Sequence, residues 1–259
     1  MLPSLSIITP SYNQAEFIEH TIRSVLDQDY PTLEYQVMDG GSKDGTVEIL
    51  RRYDKQLRFV SQKDGGQAAA LNEGFRRTSG EIVGWINSDD VYAPGAFQQV
   101  GEFFSRHPEV EWIYGLCPII DREGRLHKSW VTSYKEFWMR RYSYRRYMIE
   151  NFISQPAVFF RRRLLDRVGP IDEQYHCAFD YHLFIRMATA ARPAFLDREL
   201  ARFRSYDANK SSTVYKTSFT EELDAARRVA GGKHPVLMFL HTVNRIKLIA
   251  AYDLLARFS

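Results

Sequence analysis

Glu81-Ile82-Val83-Gly84-Trp85-Ile86-Asn87-Ser88-Asp89-Asp90 is a short apolar run that ends on polar residues. Its length and its β-branched and aromatic content read as a strand over 81–87, buried as the strands of parallel sheets are. The two adjacent carboxylates at its end repel each other. An isolated Asp-Asp in such a place reads as a solvated turn after a strand. The alternative is a bound divalent cation, since a hard cation takes one or two carboxylates together with phosphate oxygens.

Around this run the N-terminal half alternates strand and helix. Leu5 to Thr9 is a β-branched run stopped by Pro10, and Ala15 to Leu26 places Phe17, Ile18, Ile22, Val25 and Leu26 at helical spacing. A second strand over Tyr35 to Met38 ends at Asp39-Gly40-Gly41-Ser42, and a helix carrying Val47, Ile49 and Leu50 comes next. Leu57 to Val60 reads as a third strand, Gln67 to Arg77 as a helix, and Pro94 to Ser105 as a helix with proline in its first turn. This alternation predicts an α/β fold with a mainly parallel central sheet covered by helices on both faces. Ligands in such sheets bind beyond the carboxyl ends of the strands, where Asp39, Asp89 and Asp90 all fall.

The residues after the first strand exclude two nucleotide-binding chemistries. Thr9-Pro10-Ser11-Tyr12-Asn13-Gln14 lacks the glycine-rich turn of a dinucleotide fold, and no Walker lysine loop occurs. A nucleotide with a metal-bridged diphosphate fits better: Asp39 can accept the N3–H of a uracil or thymine, Tyr12 can pack on the base, and Asp89 and Asp90 can serve ribose, metal and phosphates.

The chain has 259 residues, 44% of them apolar, enough for a sizeable core. A net charge of +3 does not suggest a nucleic-acid binder, and no nucleic-acid motif supports one. Cys117 and Cys177 have no metal-ligand spacing and read as thiols of a reducing compartment. Met1-Leu2-Pro3-Ser4-Leu5-Ser6 has no basic segment or long apolar run of a secretory signal, so a cytoplasmic protein is expected.

Four motifs in order carry a resemblance: Thr9-Pro10-Ser11-Tyr12-Asn13, Asp39-Gly40-Gly41-Ser42-Lys43-Asp44-Gly45-Thr46, Gly65-Gly66-Gln67 with Leu71-Asn72-Glu73-Gly74, and Asn87-Ser88-Asp89-Asp90. They resemble the signature of family 2 inverting glycosyltransferases with the GT-A fold. Ser154 to Arg162, Val168 to Glu173 and Phe179 to Arg186 resemble the acceptor side of that family, so the likeness covers roughly residues 4 to 212. It implies a Rossmann-like nucleotide-sugar half over residues 1–115, a mixed acceptor and catalytic-base half of the same domain over 116–212, and a C-terminal helical tail over 213–259.

The resemblance also implies roles. Pro10, Tyr12 and Asp39 match the positions that hold the nucleobase, Gln67 can reach a donor phosphate or simply begin its helix, and Asp89 faces the donor. Asp90 matches the acid that contacts Mn2+ or Mg2+, and Asp180 the general base that inverts the anomeric centre in one displacement. Taken alone, Asp180 also reads as a helix N-cap. Asp44 and Gly45 read as turn and helix-start residues, Asp172 and Glu173 as residues that orient the Asp180 segment, and Arg186 as structural. Two positions depart from the pattern: Leu71 stands where many relatives carry a phosphate-binding arginine, and Tyr206 where they carry a metal-binding histidine. The metal set would then be completed by Asp207 or His182.

Met139 to Arg167 is rich in arginine, which reads either as a solvated face or as a surface for an anionic acceptor or a membrane. Pro235 to Phe258 is amphipathic and too interrupted to span a bilayer. It is expected to form a helix at the inner face of the membrane, giving peripheral contact through residues 235–258, or to pack on its own domain or on a second subunit as a homodimer. The expected function is transfer of a sugar from a UDP- or dTDP-linked donor to a hydroxyl of a glycan or lipid-linked glycan in cell-surface polysaccharide synthesis. The alternatives are a catalytically silent nucleotide-sugar-binding module, prompted by Tyr206, and a nucleotidyltransferase, which would need an N-terminal glycine- and arginine-rich loop that is absent.

Overall fold

Strand β1 (Leu5–Ser11) is buried along its whole length because it takes a parallel neighbour on each side, β2 (Leu33–Asp39) and β4 (Ile82–Trp85). The computed structural model describes residues 1–206 and 214–255. Strand β3 (Arg58–Ser61) continues the sheet beyond β2, and β8 (Val158–Arg161), β6 (Trp112–Leu116) and β9 (Ala194–Glu199) extend it past β4. The order is β3-β2-β1-β4-β8-β6-β9, parallel except at β8, which runs antiparallel to β4 and β6. A small second sheet joins β5 (Val91–Tyr92), β10 (Ala201–Arg204) and β7 (Ile119–Ile120) at the far end of β4.

Strand alternation splits the core into two layers. Leu5, Ile7 and Val37 point to one face, covered by α1 (Ile18–Leu26), α2 (Thr46–Arg51) and α4 (Ala96–Arg106). Ile8, Met38, Val83 and Trp85 point to the other, covered by α3 (Gln67–Arg77), α5 (Ser129–Met139), α6 (Tyr144–Tyr147), α7 (Arg162–Val168) and α8 (Phe179–Ala190). Gly84 has no room for a side chain, since a Cβ there would stand 2.8 Å from Phe159 Cδ1.

Several boundaries differ from the sequence expectation. Strand β1 does not stop at Pro10 but runs to Ser11. The Ile8 carbonyl accepts from Ile86 N at 3.0 Å, so Pro10, two residues on, turns its missing N–H to the side where β4 has already ended. Helix α1 begins at Ile18 rather than Ala15, because residues 13–15 are stitched to the next loop instead. Helix α4 begins at Ala96, with Gly95 at φ +75 as its N-cap and Pro94 outside it. Strand β4 is shorter than 81–87, since Asn87 to Asp90 form a turn closed by Asp90 N on the Asn87 carbonyl.

The arginine-rich stretch is divided: Arg140, Arg141, Arg145, Arg163 and Arg167 are exposed, as a solvated face would be, while Arg161 is buried and Arg162 half-buried. Arg161, 5% exposed, donates to the Val110, Phe104 and His107 carbonyls and pairs with Glu81. Arg162 holds the Gly80 and Phe75 carbonyls, and Arg163 and Arg167 both meet Glu111. Arg161 and Arg162 tie strands to helix ends, a use that neither reading of the sequence anticipated. Helices α9 (Tyr215–Ala230) and α10 (Pro235–Leu255) pack on each other, and α9 lies along α8.

Candidate functional site

The carboxyl ends of β1, β2 and β4 are adjacent in the sheet, and their loops are knotted together. Asn13 N donates to Ser42 Oγ at 2.7 Å, Gln14 N to Thr46 Oγ1 at 2.9 Å, and Ala15 N to Asp44 Oδ2 at 2.9 Å. Asp44 also receives Thr46 N, so it caps the start of α2 from just outside the helix. Pro10 is buried near the end of β1, whose pairing with β2 runs on to Ser11, and Tyr12 beyond it is 63% exposed. Tyr12 lies over Gly40, where a Cβ would come within 3.3 Å of its ring. An exposed aromatic ring resting on backbone is a surface on which a flat base can stack.

Asp39 is 3% exposed and organises the turn after β2. Its Oδ2 accepts from Gly41 N at 3.1 Å, Ser42 N at 3.0 Å and Ser61 Oγ at 2.6 Å, while among the described residues Oδ1 accepts only from Ser42 Oγ at 2.5 Å. Oδ1 is therefore the oxygen with capacity left for a ligand donor. Gln67, at the start of α3, donates to Asn87 Oδ1 at 2.7 Å, which joins the third motif to the fourth.

The two acids of the fourth motif have different surroundings. Asp90 is fully enclosed: its Oδ1 accepts from Arg204 N at 2.8 Å, its Oδ2 from Asn87 Nδ2 at 3.4 Å, and its carbonyl takes the Thr21 hydroxyl at 2.7 Å. Burial, and after it the charge of Asp89, hold the Asp90 carboxyl well above the usual range. Asp89 is only half-buried, and its Oδ2 accepts from the Tyr206 hydroxyl at 3.0 Å. Burial raises the Asp89 carboxyl, and the Tyr206 bond opposes that rise. Burial and the charge of Asp89 push the Tyr206 phenol up, so it stays neutral and donates.

Arg204, which the sequence did not single out, holds this corner. It donates from Nε to the Asp89 carbonyl at 2.8 Å and from Nη1 to the Asp121 and Arg122 carbonyls, while its guanidinium lies over the Phe17 ring. Phe17 in turn packs against Tyr206 at 5.0 Å between centroids. Nothing in the sequence marks Arg204, because its partners are backbone carbonyls.

Asp180 is not an N-cap. Ala178 holds that position and Asp180 lies in the first turn of α8, bonded through Oδ1 to Tyr181 N. A helix N-terminus favours its ionised form. Glu221 of α9 receives His176 N, Cys177 N and Ala178 N just ahead of the helix, at 2.7 to 3.1 Å. Next to it Glu222 meets Asn151 Nδ2 at 3.4 Å, and burial followed by the charge of Asp180 raises its carboxyl to about 8. Gln155, four residues past Asn151, donates to the Trp85 carbonyl at 2.8 Å, so the segment 151–155 connects the surroundings of Asp180 to the end of β4.

The other residues singled out in the sequence are placed mainly by packing and capping. Leu71 is core. Arg186 donates to the Val168 and Pro170 carbonyls. Asp172 accepts from Gln174 N, and Glu173 from the Asn72 amide. No disulfide joins Cys117 to Cys177, and Cys117 is buried. His182 packs on Tyr175 and is pushed down to about 4, chiefly by burial. Asp207 lies outside the described residues. Among the described residues no group of three or more His, Cys, Asp or Glu side chains is placed to hold a metal, so His182 does not complete a set with Asp89 and Asp90.

The profile of glycosyl transferase family 2 matches residues 6–169. A putative teichuronic acid biosynthesis glycosyltransferase of Bacillus subtilis, TuaG, is 38% identical over 105 residues, 39% of this chain and 42% of that one. Curated glycosyltransferases of Rickettsia species match over most of this chain, which spans 41% to 67% of their length. In three dimensions, S. aureus TarS 1-349 in complex with UDP-GlcNAc is similar at a TM-score of 0.69 and 20% identity, over 88% of this chain and 67% of that one. The mannosyltransferase PcManGT of Pyrobaculum calidifontis, in complex with GDP-Man and Mn2+, is similar at 0.67 and 19% identity, over 99% and 81%. At these identities the likeness is one of fold, the GT-A arrangement of a mainly parallel sheet between helices.

Proposed function

Since the chain belongs to glycosyl transferase family 2, we propose that it moves a sugar from a nucleoside-diphosphate donor to a hydroxyl of a glycan or lipid-linked glycan acceptor, with inversion at the anomeric carbon. The observation that carries this reading is the meeting of Tyr12, Asp39, Gln67, Asn87, Asp89 and Tyr206 at the carboxyl ends of β1, β2 and β4. A stacking surface, an acceptor oxygen for a pyrimidine N3–H and a half-open carboxylate there match the parts of a UDP- or dTDP-sugar in order. Pro10 shapes the edge beside the base. The relation to TuaG supports a role in surface polysaccharide synthesis.

Asp89 and Asp90 take different parts in this proposal from those the sequence suggested. Asp89, the accessible member, contacts the donor diphosphate and would hold Mn2+ or Mg2+ together with phosphate oxygens, a ligand set that suits such cations. Asp90, enclosed and bonded to Arg204 N, fixes the loop. A bound ion supplies neutralisation of the charge that develops on the leaving diphosphate. Asp180 takes the proton of the acceptor hydroxyl while that oxygen forms its bond to the anomeric carbon and the bond to the diphosphate breaks on the opposite face. Glu222, carrying its proton at neutral pH, keeps a second negative charge away from Asp180. The division into a donor half over 1–115, an acceptor half over 116–212 and a tail over 213–259 belongs to the same proposal.

A second reading, a silent nucleotide-sugar-binding module, is favoured by Tyr206, because a neutral phenol is a poor metal ligand. Hydrolysis and binding of UDP-, dTDP- and GDP-sugars, with and without Mn2+, decide between them when repeated with Asp180→Asn. Donor turnover that this substitution abolishes supports transfer. Binding without turnover under any condition supports the silent module, and no binding of any nucleotide sugar overturns both.

A further inference from the structure

Helix α10 is docked by one side only. Leu237 and Met238 pack against the core, and His241, 2% exposed, meets the Met148 carbonyl through Nδ1 at 2.8 Å. Farther along, Asp253 bonds to Tyr215 and Lys216 of α9. These contacts fix the rotation of the helix, and among the described residues its outer side is uncovered. On that side Val236, Phe239, Leu240, Val243 and Ile246 are 68%, 67%, 42%, 48% and 58% exposed. Their spacing puts them in one stripe over three turns, a contiguous apolar face that a soluble surface rarely leaves open.

The sequence that carries this stripe has charge of one sign. Between Asp224 and Asp253 the sequence has no acid, while Arg227, Arg228, Lys233, Arg245 and Lys247 fall within it. Arg228 is spent on Asp224, and Arg227 reaches Thr242 beside the stripe. Lys233 and Lys247 are both exposed, at the start of the stripe and beyond its middle. No described helix is long and apolar enough to cross a membrane. An apolar stripe whose own segment carries the exposed Lys233 and Lys247 and no acid before Asp253 suits a helix that lies in the plane of an anionic bilayer surface, with its rings among the acyl chains and its ammonium groups at the phosphates.

The geometry points to the outer face of α10 as a docking surface for anionic phospholipid. The stripe contains none of the residues assigned to donor or acceptor, so substitutions there leave those residues in place. A second copy of this chain would cover the same apolar side chains but would gain nothing from Lys233 and Lys247.

The test is flotation of the full chain with vesicles of phosphatidylcholine alone or with phosphatidylglycerol, alongside the mass of the chain in solution. The expected result is flotation only with phosphatidylglycerol, lost as salt is raised. Phe239→Ser with Val243→Ser, and separately Lys247→Glu, should each weaken it by about tenfold or more while donor binding is unchanged. Equal, negligible flotation with both vesicles overturns the proposal, as does a dimer in solution that the Phe239→Ser, Val243→Ser pair dissociates. If the paired variant does not fold, the phosphatidylglycerol and salt dependence of the unaltered chain still decides.

Discussion

The Tyr206 hydroxyl donates to Asp89 Oδ2 at 3.0 Å, across 117 residues of sequence. A phenol thus faces the half-buried member of the Asp89-Asp90 pair, the other being fully buried. Tyr206→Phe removes a bond worth about 0.5–1.5 kcal/mol, and donor turnover is expected to slow by a factor of about 2 to 10. Tyr206→His places an imidazole there, and the Mn2+ concentration that half-saturates turnover is expected to fall by roughly tenfold. Metal titrations of donor hydrolysis read both; an unchanged Mn2+ requirement in the histidine variant would place the metal elsewhere.

Asp89 and Asp90 are expected to respond in opposite ways. Under the proposed role, Asp89→Ala should lower turnover by about a hundredfold or more with a smaller change in melting temperature than Asp90→Ala, since it takes from the fold the Tyr206 bond. Asp90→Ala leaves Arg204 N–H buried without its acceptor, a loss of about 1–3 kcal/mol and several degrees in melting temperature. Thermal melts beside donor-hydrolysis rates check the pair. Equal melts for the two variants would remove the distinction drawn between them.

Glu222 gives a pH dependence of stability. Its carboxyl stands at about 8 in the fold against an ordinary value of 4.5, raised first by burial and then by Asp180. Glu150 adds to the rise, while Asn151 and Lys135 oppose it. Between those two values the unfolded chain gives up a proton that the folded chain keeps. Stability from this group is full below pH 4.5, falls as pH rises, and is gone above about pH 8. Glu222→Gln, which cannot ionise, should therefore melt higher than the unaltered chain at about pH 8 and closer to it at about pH 5. A difference that does not grow with pH would mean that Glu222 is ionised throughout.

Glu221 takes three N–H groups ahead of the helix that carries Asp180, and its effect should be on rate rather than on donor affinity. Glu221→Ala is expected to slow transfer by about tenfold with the donor KM unchanged. Transfer rates and donor KM for the variant read this, and an unchanged rate would assign Glu221 a part in the fold alone.

Much of the fold was legible because the signals for it are local. The apolar spacing of Phe17, Ile18, Ile22 and Val25 marks a helix that covers β1, and α3 occupies the expected Gln67–Arg77. Boundaries moved where a neighbouring loop competed, as at Ala15, whose N–H goes to Asp44 instead of starting α1. Pro10 reads as a stop because proline lacks an N–H, yet whether that matters depends on which neighbour the strand faces at that point.

By itself the sequence determined the βα alternation, and with it the edge of the sheet at which Asp39, Asp89 and Asp90 gather, because period and turn chemistry act within a few residues. Only the tertiary structure decided which acid of the adjacent pair is fully buried. The deciding contacts are Arg204 N on Asp90 and the Tyr206 hydroxyl on Asp89, which come from 114 and 117 residues away. It also decided that the arginines near 161 serve carbonyls and acids inside the fold. Burial and hydrogen-bond partners of a charged side chain are set by what other segments bring to it, and no local pattern carries that information.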